Sequence, residues 1–148
     1  LKESAASALG AIGDMRAIDP LVSILEAKQG FLDKFSFLKE RVIEALGKLN
    51  LDNGKVLRAL KKSLLDSSPM VRINAIEAIM NSDSEEAPDL IRDCLKDEDK
   101  EVQKNALIAM YNLEGKDIID EVLLSNEYSD YLKEEAQDLL NEYEADDE

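Results

Sequence analysis

The chain has 148 residues, 33 of them acidic and 18 basic, no histidine and a formal charge of −15. With 45% hydrophobic and 34% charged residues and only six glycines and three prolines, the composition excludes a disordered chain and favours an all-helical one. A field of this sign repels phosphate backbones and anionic membranes, which argues against a nucleic-acid or membrane partner, and the missing histidine removes the commonest general base and metal ligand.

The first element, LKESAASAL at 1–9, returns four times: LKERVIEAL at 38–46, VRINAIEAI at 71–79, VQKNALIAM at 102–110 and LKEEAQDLL at 132–140. Successive starts lie 37, 33, 31 and 30 residues apart. Position one is Leu or Val, position two Lys, Arg or Gln, position five Ala or Val, position eight Ala or Leu, and position nine Leu, Ile or Met. Apolar residues at one, five, eight, nine and often twelve share one stripe of a helix, so each segment predicts a helix with a buried side. Ser68 before Pro69, Asp99 and Ser129 are the residue types that cap helix starts.

Between these segments runs a second set of helical patterns: AIDPLVSILEA at 17–27, KVLRALKKSLL at 55–65, EEAPDLIRDCL at 85–95 and KDIIDEVLL at 116–124. Pro20 and Pro88 fall near the starts of theirs, where proline is tolerated. The expectation is about nine helices in antiparallel pairs, stacked as an α/α superhelical solenoid forming a single domain over 1–148. Helices of the first set are expected near 1–12, 31–49, 69–81, 100–113 and 130–143, with an acidic tail at 144–148.

All three phenylalanines sit in KQGFLDKFSF at 28–37. Phe31, Phe35, Leu38, Val42, Ala45 and Leu49 step by four, three, four, three and four, an unbroken helical stripe. These rings are therefore read mostly as core that extends the second repeat after a helix stop at Gly30. Phe31, at the projecting edge, keeps a secondary role as a contact residue.

The residues LGAIGDMRAIDPLVSIL at 9–25 and SSPMVRINAIEAI at 67–79 resemble the short HEAT-like repeats of the phycobilisome-lyase type. The tryptophan–tyrosine pattern of tetratricopeptide repeats and the ankyrin T-P-L-H signature are absent. Asn81-Ser82-Asp83 stands where repeat one has a Gly13-Asp14 turn, which leaves that turn open. The resemblance implies that the first set are the inner helices, lining a concave surface. It also implies that helix precedes Leu1, since the first inner helix starts without its outer partner. Deoxyhypusine hydroxylase, built from similar repeats, needs His-Glu iron ligands that this chain does not have. Alkylation-repair glycosylases of related fold use a basic aromatic groove, against the charge seen here.

On the inner helices, positions three, seven and ten point away from the buried stripe. These give Glu40, Glu44 and Gly47 in repeat two, Ile73, Glu77 and Met80 in repeat three, and Lys104, Ile108 and Tyr111 in repeat four. Glu3, Ser7 and Gly10 flank them on one side, and Glu134, Asp138 and Asn141 on the other. An apolar centre with a charged rim suits a protein surface. Ile73 and Ile108 could instead be buried between repeats.

The expected function is a non-catalytic scaffold holding a basic or amphipathic protein or peptide on its concave face, with no metal and no cofactor. The alternatives are an accessory subunit of a bilin-handling enzyme, or the C-terminal segment of a larger enzyme or regulator. Cys94, a lone thiol beside Leu95 on an outer helix, reads as a small buried apolar group, and with no disulfide available a cytoplasmic setting is expected. Arg58, Lys61 and Lys62, on another outer helix, read as solubilising charge. No apolar run approaches the roughly 20 residues of a membrane span.

Overall fold

The computed structural model describes residues 2–26, 36–49 and 53–146. Within these, every regular element is helical: α1 (Lys2–Ile12), a 3₁₀ turn (Met15–Ala17), α2 (Ile18–Glu26), α3 (Ser36–Lys48), α4 (Gly54–Ser63), α5 (Pro69–Met80), α6 (Ala87–Cys94), α7 (Lys100–Glu114), α8 (Lys116–Leu124) and α9 (Asp130–Asp146). The last helix thus continues to Asp146, past the 130–143 read from the pattern and into the acidic residues beyond it. Gly30, Phe31 and Phe35 lie outside the described residues.

The helix ends follow from their residues. Ser68 Oγ accepts from the Val71 N–H at 3.4 Å with Pro69 at the helix start, and Asp99 Oδ1 accepts from Glu101 and Val102. Ser129 Oγ accepts from the Leu132 N–H at 3.1 Å. Asn53 caps α4 in the same way, through the Lys55 N–H. The open turn after α5 is solved by Asp83, whose φ of 52° takes the left-handed conformation that Gly13 adopts at 69° in repeat one. Aspartate is among the few side chains that enter this region at modest cost.

The chain forms two compact units, Leu1–Ala87 and Pro88–Glu148. In the first, α1, α3 and α5, the helices expected to be inner, pack side by side as one row, while α2 rests on α3 and α4 and α4 rests on α5. In the second, α7, α8 and α9 pack pairwise on one another. The predicted stripe is buried in three successive inner helices: Leu38, Val42, Ala45, Leu46 and Leu49 on α3, Val71, Ala75, Ala78 and Ile79 on α5, and Val102, Ala106, Ala109 and Met110 on α7. Cys94 is buried beside Leu95, with its Sγ 3.6 Å from the Leu90 carbonyl oxygen.

Repeat one departs from the stripe. Ala5 and Ala8 are exposed, Ile12 is 70% exposed, and Ala6 and Gly10 are buried instead. Neighbours explain this. Position eight faces the preceding inner helix and position ten the following one, so Gly10 lies on Ala45 and Gly47 on Ala78. Among the described residues no inner helix stands before α1, so its position eight has nothing to cover it. Gly10 is therefore a packing residue and not part of an open face. Position six is a second buried position that the stripe omits: Ala6, Ile43, Ile76 and Leu107 are buried, while Gln137 on α9 is exposed.

A Cβ at Gly10 would lie 2.6 Å from the Ala45 Cα, a backbone atom that cannot move cheaply. Gly10→Ala should destabilise the protein by about 1 kcal/mol net, since overpacking costs ~1–3 kcal/mol and alanine returns ~1 kcal/mol of helix propensity. A urea melt checks this, and a rise in midpoint would contradict it.

Position two is buried as well in repeats two, three and four. Lys39, Arg72 and Gln103 are 6%, 5% and 9% exposed, and each reaches into a loop. Arg72 Nη1 donates to the Asp66 and Ser67 carbonyl oxygens at 2.7 and 3.3 Å. Gln103 Nε2 donates to the Asp97 carbonyl, and its Oε1 accepts from Ser129 Oγ at 2.6 Å. Lys39 Nζ donates to Asp66 Oδ2 at 2.8 Å, which ties α3 to the loop entering α5.

Candidate functional site

The faces left open by this packing carry the candidate site. On α3, Phe37, Glu40, Glu44 and Gly47 follow one another by three, four and three residues; on α5, Met70, Ile73, Glu77 and Met80 do the same. These spacings put each set on one side of its helix. In the first unit Glu40, Glu44, Ile73 and Met80 are half-buried and Glu77 is exposed. In the second, Lys104 and Tyr111 are half-buried and Ile108 is 41% exposed, all on α7. Ile73 and Ile108 are thus not sealed inside the core. The eight predicted residues are divided five and three between the units.

Glu44 and Glu77 meet in a groove between α3 and α5, about 130 Å³ in volume and lined also by Gly47, Lys48, Asn74, Ala78 and Asn81, with the Lys48 ammonium paired to Glu44. The groove exists because Gly47 lets the two helices approach; a Cβ there would lie 3.3 Å from the Ala78 Cβ. Glu44 accepts from Lys48 Nζ at 2.9 Å and from Arg41 Nη1 at 2.7 Å, and these bonds hold its carboxyl below the usual carboxylate range. Glu77 makes no ion pair among the described residues. On α7, Lys104 Nζ lies 3.1 Å from Glu135 Oε2 of α9, so its charge is compensated.

Two exposed residues of this face escape the sequence pattern. Phe37 and Met70, each 52% exposed, stand one residue before the first buried stripe position, as Tyr131 does on α9. Phe37 is not core, unlike the reading given to the ring cluster: its ring lies 4.9 Å below the Arg41 guanidinium. The signal was a large apolar residue recurring before position one, seven residues ahead of an acid in both cases.

The outer helices hold ion pairs. Lys55 Nζ meets Asp19 at 2.9 Å, Lys62 meets Glu26 at 3.5 Å and Lys61 meets Glu86. Lys55 and Arg58 edge a cleft of about 340 Å³ with Asp19, Ser23 and Glu26. Exposed pairs of this kind contribute ~0–1 kcal/mol each. In the second unit, Arg92 joins Glu114 at 2.8 Å and Glu121, and Glu121 also accepts from the Tyr128 hydroxyl at 2.8 Å.

The Arg92 hydrogen bond holds the Glu121 carboxyl below its usual range, while burial, then the bond to Glu121, pushes Tyr128 up to about 12. A depressed carboxylate stabilises the fold above its unfolded value of about 4.3 and loses that contribution as pH falls through the lower folded value. The raised tyrosine works in the opposite sense, stabilising below about pH 10 and losing this as pH rises toward 12. Glu121→Gln should therefore flatten the acid side of the stability profile. Urea midpoints at pH 7, 5 and 3.5 test this, and parallel profiles would contradict it.

Stacked helices, a buried polar position that stitches loops in three repeats, and open faces repeating at fixed spacing together define an α-helical repeat protein of the solenoid class. The family model for HEAT repeats matches residues 32–111 and 67–141, and the PBS lyase HEAT-like repeat matches residues 1–27. The chain belongs to the HEAT-repeat family. A search of curated proteins gave no significant match. No helix among the described residues is long and apolar enough to cross a membrane.

Proposed function

We propose that this protein is a non-catalytic scaffold whose inner helices hold a basic or amphipathic segment of a partner protein. HEAT repeats generally mediate protein–protein interaction. The observation that carries the finer reading is the groove between α3 and α5, where Glu77 lies exposed, with Ile73 one turn and Met70 two turns before it on the same side of α5. An apolar anchor next to an uncompensated acid matches a ligand carrying both apolar and basic side chains. In the second unit Ile108 and Tyr111 supply apolar contact of the kind that anchors interfaces.

The bilin-handling alternative finds less support. Small-molecule sites occupy roughly 300–1,000 Å³ and are mainly apolar. The inner groove is smaller, about 130 Å³, and the larger outer cleft is edged by charges. A cytoplasmic setting agrees with the buried, unbridged Cys94.

Affinity capture from a lysate of the source cells, read by mass spectrometry, tests the reading. The doubly substituted Ile108→Asp, Tyr111→Asp protein and the Glu77→Lys protein should lose the captured partner. The Glu77→Lys protein, changed at an exposed residue, should stay within ~0.5 kcal/mol of the parent, and the double variant should keep a cooperative thermal transition. Retention of the same partner by both would overturn the proposal.

A further inference from the structure

On two neighbouring inner helices an apolar side chain precedes an acid by seven residues, Phe37 before Glu44 on α3 and Met70 before Glu77 on α5. Seven residues of helix span ~10 Å. On α3 the chain bridges that interval itself. Arg41 lays its guanidinium 4.9 Å from the centre of the Phe37 ring and donates to Glu44 Oε2 at 2.7 Å. Its equivalent on α5, four residues after Met70 and three before Glu77, is Asn74. Here nothing bridges the interval. Met70 is exposed, Glu77 has no ion pair, and the Asn74 and Asn81 side chains make no hydrogen bond among the described residues.

We propose that α5 receives an arginine side chain of the partner polypeptide in the place that Arg41 fills on α3. The proposal rests on the reading of the inner row as a protein-binding face, and it names the side chain that face selects. The aliphatic stem covers Met70 and Ile73, and the guanidinium donates to the Glu77 carboxylate. The carboxamide oxygens of Asn74 and Asn81, which line the same groove, accept its remaining N–H groups. Arginine fits better than lysine because its planar fork offers five donors to separate acceptors and lies flat on apolar surface. The groove volume of about 130 Å³ suits a side-chain head group and not a larger ligand.

The test is an NMR titration of the ¹⁵N-labelled full chain with the acetylated hexapeptide Gly-Ser-Leu-Arg-Ser-Gly and with its citrulline and lysine counterparts. The arginine peptide should shift amides of residues 70–81 and bind at least about fivefold more tightly than the citrulline peptide, as expected for one charge-assisted contact. Glu77→Gln should reduce arginine binding to the citrulline level. Asn74→Arg, which supplies the bridge in cis, should abolish binding with an unchanged circular dichroism spectrum and an equal or higher urea midpoint. Equal binding of citrulline and arginine peptides, or undiminished binding to Asn74→Arg, would overturn the arginine site. Absence of any shift at millimolar peptide would do so too. The broader reading fails separately, on retention of the captured partner by the Ile108→Asp, Tyr111→Asp and Glu77→Lys proteins.

Discussion

Asp66→Ala should destabilise the first unit by about 3–5 kcal/mol, the range for removing one partner of a buried charged pair. Its side chain does two jobs at once. Oδ2 faces Lys39 Nζ at 2.8 Å, with side-chain exposures of 15% and 8%, and Oδ1 accepts the Ser68 N–H at 2.9 Å. Alanine therefore strips a carboxylate from beside a buried ammonium and leaves the residue that caps α5 less well placed. The Arg72 bonds go to backbone carbonyls of the same loop, so the loop should loosen as well. The double substitution Lys39→Met, Asp66→Ala removes the charge along with its counter-charge and should recover most of the loss. Chemical denaturation of the two variants side by side measures the coupling. Equal stabilities of single and double variants would show that Lys39 and Asp66 do not depend on each other.

Ile43→Ala should cost about 2–5 kcal/mol, as expected when a fully buried aliphatic residue is truncated. Ile43 is position six of α3 and is 0% exposed. The same position on α9 is Gln137, which is exposed. Gln137→Leu should accordingly change stability by less than ~0.5 kcal/mol. The pair of measurements tests whether position six belongs to the packing between repeats. A small effect at Ile43 together with a large one at Gln137 would reverse the assignment.

Much of the fold is legible in the sequence because it is local and periodic. The stripe at one, five, eight and nine obeys the 3.6-residue turn, and Ser68, Asp99 and Ser129 announce helix starts by chemistry confined to one turn. What stays hidden depends on neighbours. Nothing in a polar residue at position two reveals that Arg72 is buried, because its acceptors are carbonyl oxygens of a loop that has no sequence signature for accepting them. Ala5, Ala8 and Ile12 fit the stripe as well as Val42, Ala45 and Leu49 do, yet their burial requires a helix on the far side. The candidate face was partly readable: Glu44, Ile73 and Glu77 come from helix phase alone. Phe37 reads as core because a ring within an aromatic run looks like core, and its exposure and the position of Arg41 show otherwise.

The contacts of Gly10 with Ala45 and of Gly47 with Ala78 bring main chain close to main chain along α1, α3 and α5. Flexible side chains that would cushion a displacement are missing at those crossings. A load placed on one rod of this stack therefore passes to the next without being absorbed, and a peptide gripping α5 should slow amide exchange in α3 as well as in α5.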